Sequence, residues 1–458
     1  MPRRYLAPSA MLPSGWADNV LIVVGDDGVI ASVASNMTDV AAERLNGPVI
    51  PGLPNLHSHA FQRAMAGLTQ TGGPEGDSFW AWRELMYRFL ARLTPDDVEA
   101  IATQLYIEML VAGYTSVAEF HYLHHDYAGE PYGNPIEIAE RICAAADTAG
   151  IGLTLLPVFY AHSNFGGLAP TPGQRRFITG TDAFSHMLDA LGSSLSRNPM
   201  QRLGVAPHSL RAVVPEELRD LMEHRDRIDA AMPVHIHAAE QQKEVDDCIA
   251  SLGARPVQWL LDNAELNEHW CVIHATHMDD VETARLADSS AVAGLCPTTE
   301  GDLGDGLFNA RLFFARDGRF GIGGDSHVNV DPFLELRLFE YGQRMRHERR
   351  NVFGAAHAES FGGRLYRAAC SGGAQALGQR IGAIVAGRRA DWIVLDQSNF
   401  AIEAQRGDAL LDSAIFGPSK AAVSDVMAGG EWRVRSRVHP RAGRSATRYR
   451  ATLKRLLA

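Results

Sequence analysis

The chain has 458 residues, of which 46% are hydrophobic and 21% charged, and its formal net charge is −11. This composition excludes an intrinsically disordered chain. The acidic balance argues against a nucleic-acid partner or an anionic membrane surface. A small-molecule substrate remains compatible with it.

The features that report on compartment predict a soluble, cytoplasmic protein. The five cysteines are scattered singly with no C-x-x-C pattern, which favours reduced thiols over a disulfide framework. The first residues lack the apolar core of a signal peptide. No stretch reaches the ~20 apolar residues of a membrane span.

Both ends of the chain are predicted to form β-strands. The apolar, β-branched runs lie at 21–25, 29–33, 390–396, 423–430 and 432–435, and turn signals such as Asp26-Asp27-Gly28 separate them. The pattern leaves two interpretations open, namely two small domains or one domain assembled from both termini.

The long middle alternates short apolar runs with amphipathic helical patterns. Eight runs read as strands: 49–53, 115–120, 153–159, 203–206, 233–237, 271–274, 291–296 and 319–324. Thr94 and Pro95 predict the start of one helix that Gly113 ends, and Asn134-Pro135 predict the start of another that runs to Gly150. Eight strands alternating with helices predict the α/β class and a parallel (β/α)₈ TIM barrel.

Polar residues at the predicted strand ends form a coherent set, because a barrel carries its active site on that face. His57 and His59 follow the first strand at i and i+2, so both side chains point the same way. The fifth strand ends with His235 and His237, the sixth with His274, and the eighth with Asp325. Singly these are explained as surface imidazoles, packed core histidines or a helix cap. Jointly they predict a metal site.

On these residues the chain resembles the amidohydrolase superfamily, and the resemblance covers essentially its whole length. It implies a metal-dependent TIM barrel over residues 51–384. It also implies a small discontinuous β-sandwich domain, formed by residues 1–50 and 385–458 together with a terminal helix.

The resemblance also implies one metal ion per chain. The fourth strand ends without the Lys that bridges two ions in binuclear members, whereas His237 to Glu240 fits the H-x-x-E of mononuclear aminohydrolases. The implied ligands of this ion are His57, His59, His237 and Asp325. Nitrogen and oxygen ligands with an open position suit Zn²⁺, and Fe²⁺ would also fit. His235 then becomes a packed neighbour.

The same family pattern implies roles for three catalytic residues. A bound divalent ion lowers the pKa of water, and Asp325 and His274 are placed beside that water as base and electrostatic partner. Glu240 is placed to carry a proton to the leaving nitrogen. A bland alternative is that Glu240 only opens the following helix, where a carboxylate favours the helix dipole.

A further set of polar residues at the barrel mouth predicts a dicarboxylate substrate, since guanidinium groups pair carboxylates bidentately. They are Gln62, Arg83, Tyr122, His208 and Arg211. The alternative for each arginine is a solvated loop position.

Six strings resemble the branch of the superfamily that deiminates N-formimino-L-glutamate in histidine degradation: 55–63, 79–83, 119–124, 208–211, 235–241 and 296–306. The resemblance implies hydrolysis of that substrate to N-formyl-L-glutamate and ammonia, and a homodimer. Two rival functions are a related mononuclear aminohydrolase acting on a cyclic base such as guanine, and a barrel that has lost its metal and serves as a scaffold.

Two glycine-rich segments, 68–78 and 163–173, follow the first and third predicted strands. Loops at a catalytic mouth can close over a substrate. Plain flexible connection explains them equally well.

Overall fold

The architecture is taken from a computed structural model that describes residues 2–39, 41–68, 70, 79–195, 198–350, 352–353, 359–417 and 422–458. The strands of these residues are β1 (Arg3–Leu12), β2 (Gly15–Val24), β3 (Ile30–Ala34), β4 (Glu43–Arg44), β5 (Val49–Pro51), β6 (Leu53–Ser58), β7 (Tyr114–His121), β8 (Gly152–Phe159), β9 (Gln201–Leu203), β10 (Ala206–Pro207), β11 (Val234–Ala238), β12 (Trp270–His274), β13 (Val292–Leu295), β14 (Arg319–Ile322), β15 (Trp392–Leu395), β16 (Val423–Ala428) and β17 (Glu431–Val434).

The helices lie mainly between the strands of the middle of the chain. They are α1 (Phe79–Leu90), α2 (Pro95–Ala112), α3 (Glu137–Ala149), α4 (Thr181–Leu195), α5 (Pro215–Asp229), α6 (Gln242–Leu252), α7 (Pro256–Asn263), α8 (Asp280–Asp288), α9 (Pro297–Leu303), α10 (Ala310–Ala315), α11 (Pro332–His347), α12 (Phe361–Ala376), α13 (Ala409–Phe416) and α14 (Ala442–Leu457). No helix formed by these residues combines the length and the apolar character needed to cross a bilayer. The chain is therefore an α/β protein, as predicted.

The middle strands pair in parallel in two sheets, ordered β10-β8-β7-β6 and β11-β12-β13-β14, with β9 on β8. Parallel bridges join the two sheets at both edges, one between Val205 and Val234 and the other between Ser58 and Asp325. Because all these strands run the same way, their carboxyl ends meet at one end of the assembly. All eight predicted runs overlap these strands, the first of them at Leu53 alone.

The first predicted run, 49–53, needs a correction because it crosses between two sheets. Val49–Pro51 pairs with the strands of the chain ends, and only Leu53 belongs to the parallel strand β6. Gly52 marks the crossing, where a Cβ atom would lie 2.1 Å from Thr115 Cγ2. The close approach of backbone and Thr115 thus requires glycine at this point.

The boundaries of α2 agree with the predicted capping residues, whereas α3 begins two residues after Pro135, its predicted first residue. Thr94 accepts the backbone N–H of Asp97, and Gly113 ends α2 with a φ of 111°, as predicted. The helix predicted from Asn134 begins only at Glu137. The reason is local, since Asn134 Oδ1 accepts the backbone N–H of Ile136 at 3.2 Å and forms a turn ahead of the helix.

The strands of the two chain ends form one hydrogen-bonded sheet, ordered β17-β16-β15-β5-β1-β2-β3, with β4 on β1. Val394 of β15 pairs antiparallel with Val49 of β5. Tyr5 and Trp392 pack together in the core of this sheet with ring centroids 5.6 Å apart. The strands of the two chain ends therefore form one connected sheet and not two separate sheets.

The two ends of the chain differ in how far they were predicted: strand β1 was not, whereas a terminal helix was. Strand β1 (Arg3–Leu12) was absent from the predicted strands, although it pairs with β2 along almost its whole length. Helix α14 packs on α2, with Arg448 Nη1 2.6 Å from Glu99 Oε1 and Arg455 paired with Asp97. Helix α14, which comes after the last strand of the terminal sheet in the chain, thus packs on a helix that lies between the parallel strands.

Candidate active site and metal centre

The carboxyl ends of β6 and β14 are held together by backbone hydrogen bonds. The N–H of Asp325 donates to His57 O at 3.0 Å, and the N–H of His59 donates to Asp325 O at 3.0 Å. Gly323 allows this approach, because a Cβ atom there would lie 2.8 Å from the Cβ of His57. The strand pairing therefore places His57, His59 and Asp325 side by side.

Four of the predicted site residues face one another as a compact, buried cluster. His57 Nε2 lies 3.1 Å from His237 Nε2. Asp325 Oδ1 lies 3.5 Å from His57 Nε2 and 3.3 Å from His59 Nε2. Ligand atoms bound to zinc at about 2.0–2.1 Å, at the corners of a tetrahedron, are ~3.3 Å apart. The distances from His57 to His237 and from Asp325 to His57 and His59 are close to this spacing, and His57, His59 and His237 form a group of potential ligands within 4.8 Å.

The protonation of the three imidazoles suits metal binding. His59 Nδ1 donates to Phe120 O at 3.0 Å, and His237 Nδ1 donates to His208 O at 3.1 Å. A proton on Nδ1 leaves the Nε2 lone pair toward the cluster. Burial lowers the pKa of His57 to about 3 and also lowers the pKa values of His59 and His237. Neutral imidazoles of this kind are metal ligands.

His274 lies beside this cluster and faces carboxylates on both sides. Its Nε2 is 3.7 Å from Glu240 Oε1 and 3.8 Å from Asp325 Oδ2, and its Nδ1 is 3.3 Å from Glu300 Oε1. Burial alone would lower the pKa of His274, but the carboxylates outweigh burial and raise it. His57, His274 and Asp325 form a second group of potential ligands within 4.8 Å. The positive charge on His274 and its distance of 3.8 Å to Asp325 Oδ2 favour a role in proton transfer or charge stabilisation.

Several residues at these strand ends adopt left-handed backbone conformations, which non-glycine residues rarely do. They include Ala239 at φ 55°, His274 at φ 66° and Asp325 at φ 48°. Such conformations are costly and concentrate at functional sites. Here they turn the chain immediately after β11, β12 and β14, where the polar side chains must face the cluster.

His235, the other histidine of β11, is turned away from the cluster. Its Nε2 donates to Ala376 O at 2.8 Å in a fully buried position. The structure therefore leaves His235 as a packed, hydrogen-bonded neighbour.

A cavity of about 60 Å³ adjoins the cluster, and all five predicted substrate-binding residues line it: Gln62, Arg83, Tyr122, His208 and Arg211. Gln62 Nε2 donates to the Tyr122 hydroxyl at 2.9 Å, and Gln62 Oε1 is buried without a hydrogen-bond partner among the described residues. Burial, followed by the charge of Arg211, holds the pKa of His208 well below its usual range. These five residues thus combine neutral polar groups with two guanidinium groups, and Glu240 and Asp325 also line the cavity.

Arg211 is the most telling of these residues because it is buried, at 7% exposure, and loosely paired. Glu240 Oε2 and Glu244 Oε2 each lie 4.0 Å from its guanidinium nitrogens, which is too far for a hydrogen bond. Its Nε has no hydrogen-bond partner within the described part of the chain. A buried donor of this kind is costly unless a ligand satisfies it. Arg211 is therefore arranged to bind an acceptor in the cavity.

Three buried glutamates support the site without having been assigned a role from the sequence. Glu300 accepts the backbone N–H of Cys296 at 2.8 Å and contacts His274. Glu244 accepts the backbone N–H of Ala239 and of Glu240 at 3.2 Å each.

The third, Glu119, fixes the turn that carries the first two histidines. It accepts the Ser58 hydroxyl at 2.5 Å, the Ala60 N–H at 2.7 Å and the Tyr106 hydroxyl at 3.1 Å. Glu119, Glu300 and Glu244 lie in or beside the strings 119–124, 296–306 and 235–241. Of the three, only Glu119 lies within a predicted strand (115–120), where a carboxylate in an otherwise apolar run is the signal that identifies it.

The first of the two glycine-rich segments falls mostly outside the described residues, since 69 and 71–78 are not among them. In the second, Gln174 directly follows residue 173 and donates to the Tyr160 hydroxyl at 2.8 Å. Closure of either segment over a substrate stays a prediction.

Comparison with known proteins gives a consistent picture. Residues 49–433 match the sequence profile described as the amidohydrolase family. The formimidoylglutamate deiminase of Pseudomonas aeruginosa is 52% identical to this chain over 98% of its length and 99% of that protein. The 8-oxoguanine deaminase of the same species is 28% identical over 84% of this chain and 82% of that protein. The crystal structure of an amidohydrolase from Brucella melitensis superposes with a TM-score of 0.94 at 47% identity and covers 100% of both chains.

Proposed function

The chain belongs to the amidohydrolase family, and on that premise we propose that it hydrolyses N-formimino-L-glutamate to N-formyl-L-glutamate and ammonia, a step of histidine degradation. The near-identical length and high identity of the Pseudomonas aeruginosa deiminase support this reaction. The observation that carries the proposal is the buried, loosely paired guanidinium of Arg211 in the cavity beside the histidine cluster.

Two guanidinium groups in one cavity suit a substrate with two carboxylates. Arg211 is buried, and Arg83 lies with its guanidinium carbon 5.7 Å from the ring centroid of Tyr87. Arginine binds carboxylates bidentately and is always charged. A neutral base such as guanine offers acceptor atoms but no negative charge, so it matches a buried guanidinium less well than a carboxylate does.

The four clustered ligands favour one Zn²⁺ per chain, and Fe²⁺ fits the same donor set. His57, His59, His237 and Asp325 would hold it. A divalent ion bound there supplies Lewis acidity, which lowers the pKa of water and polarises the amidine.

The remaining chemistry falls to the chain's own residues. Water adds to the formimino carbon, forming a carbon–oxygen bond, and Asp325 Oδ2 accepts the proton that the water loses. The charged imidazole of His274 stabilises the negative charge that develops nearby. Asp325 Oδ2 and His274 Nε2 lie 3.8 Å apart. The proton is therefore accepted close to the place where the negative charge develops.

Glu240 then moves a proton to the nitrogen that leaves. Burial raises the pKa of Glu240, which favours a carboxyl group that exchanges protons near neutral pH. An amidine nitrogen leaves poorly unless it is protonated. For a substrate that enters as the amidinium cation, the carbon–nitrogen bond of the tetrahedral intermediate then breaks as ammonia departs. The hydroxyl proton of the intermediate passes to the Glu240 carboxylate, and the formyl group remains on the glutamate nitrogen.

For the fold we propose the finer interpretation that the ring of parallel strands is a (β/α)₈ barrel. The sheet of the two chain ends is then a small discontinuous domain beside it. The continuous strand pairing through both edge bridges supports this interpretation.

The experiment is an ammonia-release assay on the zinc-loaded protein with N-formimino-L-glutamate, N-formimino-L-aspartate, guanine and 8-oxoguanine. We expect turnover of the formimino glutamate and little turnover of the two purines. Activity on a purine combined with inactivity on N-formimino-L-glutamate would overturn the proposal.

A further inference from the structure

A second cavity, of about 440 Å³, adjoins the candidate active site and is rich in arginine. Its lining includes Arg83, Arg88, Arg175 and Arg176, together with Tyr87. No Asp or Glu occurs in this lining within the part of the chain that the structure describes. The cavity is therefore a concentration of positive charge on a protein whose net charge is −11.

Among these arginines, the positive charges of Arg88, Arg175 and Arg176 are not cancelled by ion pairs within the described residues. Arg176 is buried and donates to three backbone carbonyl oxygens, and Arg175 is exposed and donates to two. Carbonyl groups satisfy the N–H donors without removing the charge. Arg88 is exposed and has neither a hydrogen bond nor an ion pair there. Asp126 affects the pKa of Arg176 but does not line the cavity.

The two cavities are neighbours that share two lining side chains. Arg83 and Tyr87 line both the cavity at the histidine cluster and the arginine-rich cavity. Arg83 is also one of the two guanidinium groups proposed to hold a carboxylate of the substrate. An anion in the outer cavity would therefore lie next to a group that binds it in the inner one.

We propose that the arginine-rich cavity is an outer binding site for small dicarboxylates, which captures the anionic substrate before it reaches the histidine cluster. This inference rests on the proposed function, because it takes N-formimino-L-glutamate as the ligand. The overall charge of −11 repels a dianion, whereas a local cluster of one sign raises the local concentration of its counter-ion.

The test is steady-state kinetics of the zinc-loaded protein with N-formimino-L-glutamate at low and high ionic strength. Arg88→Gln is the main variant, because Arg88 holds no other described group in place. We expect kcat to stay unchanged and kcat/KM to fall about threefold at ~10 mM ionic strength, where the Debye length is ~30 Å. Arg88→Glu should lower kcat/KM by about tenfold. Both effects should largely disappear at ~0.5 M salt, because the charges are then screened.

Arg406→Gln is the matched control. Arg406 is also exposed, donates to the carbonyl oxygen of Gln405 at 2.8 Å and lines neither cavity. Its replacement removes the same charge from the chain, so any effect of total charge appears in both variants. We expect its kcat/KM to match the wild type at both ionic strengths.

The possible results separate the two proposals. A drop in kcat/KM confined to the Arg88 variants and to low salt supports the outer site. Equal kcat/KM values for Arg88→Glu and Arg406→Gln at low salt, or a loss that persists at high salt, would overturn it and leave the proposed reaction intact. A wild-type protein inactive on N-formimino-L-glutamate would overturn both.

Discussion

Replacing Arg211 with glutamine should raise the KM for N-formimino-L-glutamate far more than it lowers kcat. Arg211 is buried in the cavity, and its Nε has no hydrogen-bond partner among the described residues. A hydrogen bond between charged groups contributes about 1.5–3 kcal/mol, so its loss corresponds to about 10- to 150-fold in kcat/KM. A carboxylate remote from the reacting carbon is held equally in the ground and transition states, which places the loss in KM.

The same substitution should also affect stability. Arg211 lies 4.0 Å from both Glu240 and Glu244. Its removal takes one positive charge away from two buried carboxyl groups, of which Glu240 still faces His274 at 3.7 Å. Breaking a buried ion pair costs about 3–5 kcal/mol. That figure is an upper limit, because burial already raises the pKa of Glu240 and a proton can neutralise it. We expect Tm to fall by a few degrees, and Arg211→Lys to show a smaller loss of Tm together with an intermediate KM.

The assay is ammonia release over a range of substrate concentrations, with Tm measured on the same samples. Arg219→Gln is the control, because the Arg219 side chain is 64% exposed and lines neither the inner nor the arginine-rich cavity. A KM for Arg211→Gln within twofold of the wild-type value would refute a carboxylate-binding role for Arg211. A fall in kcat with an unchanged KM would point instead to an effect transmitted through Glu240.

Three further predictions concern the catalytic acid, the metal and pH. Glu240→Gln should retain one metal ion per chain and a wild-type Tm but lose about 10²–10⁴-fold in kcat, and an unchanged rate would remove Glu240 from the mechanism. Removal of metal by a chelator should abolish ammonia release and lower Tm, since an ion that binds only the folded state stabilises it. Re-addition of one equivalent of Zn²⁺ should restore both the activity and the Tm. Full activity in metal-free protein would contradict the proposed metal centre. Burial raises the pKa of Glu335 from 4.5 to about 8. The stabilisation that the Glu335 carboxyl group contributes is therefore complete below about pH 4.5 and is lost as pH rises through about 8. The stability of Glu335→Gln relative to the wild type should therefore increase by up to a few kcal/mol between about pH 5 and 9 in urea unfolding, whereas a pH-independent difference would count against the raised pKa.

Much of the candidate site could be predicted because its signals are short in sequence. His57 and His59 lie two residues apart, and His237 and Glu240 lie three apart, so each pair is recognised without knowing the fold. The structure brings His59, His237 and Glu240 together with His274 and Asp325 around one cavity. His57 lies beside it, 3.1 Å from His237. The start of α2 at Thr94 was equally readable, because a capping box involves only four residues.

The errors occur where a local pattern competes with a distant contact. The apolar run 49–53 reads as one strand, yet Gly52 passes against Thr115 and the chain changes sheet there. Strand β1 is not predicted by the local pattern, because its residues begin with two arginines and form no apolar, β-branched run. Pairing with β2 is what makes it a strand.

The amino-acid sequence by itself determined the alternation of strands and helices, the helix caps and the spacing of the histidines, since each depends on interactions within a few residues. Only the tertiary structure decided that Val49 pairs with Val394, that Glu300 contacts His274 and that four arginines converge on one cavity. Those contacts join residues up to hundreds of positions apart. They depend on how whole elements pack and on the register in which strands pair, and no short segment of the chain encodes either.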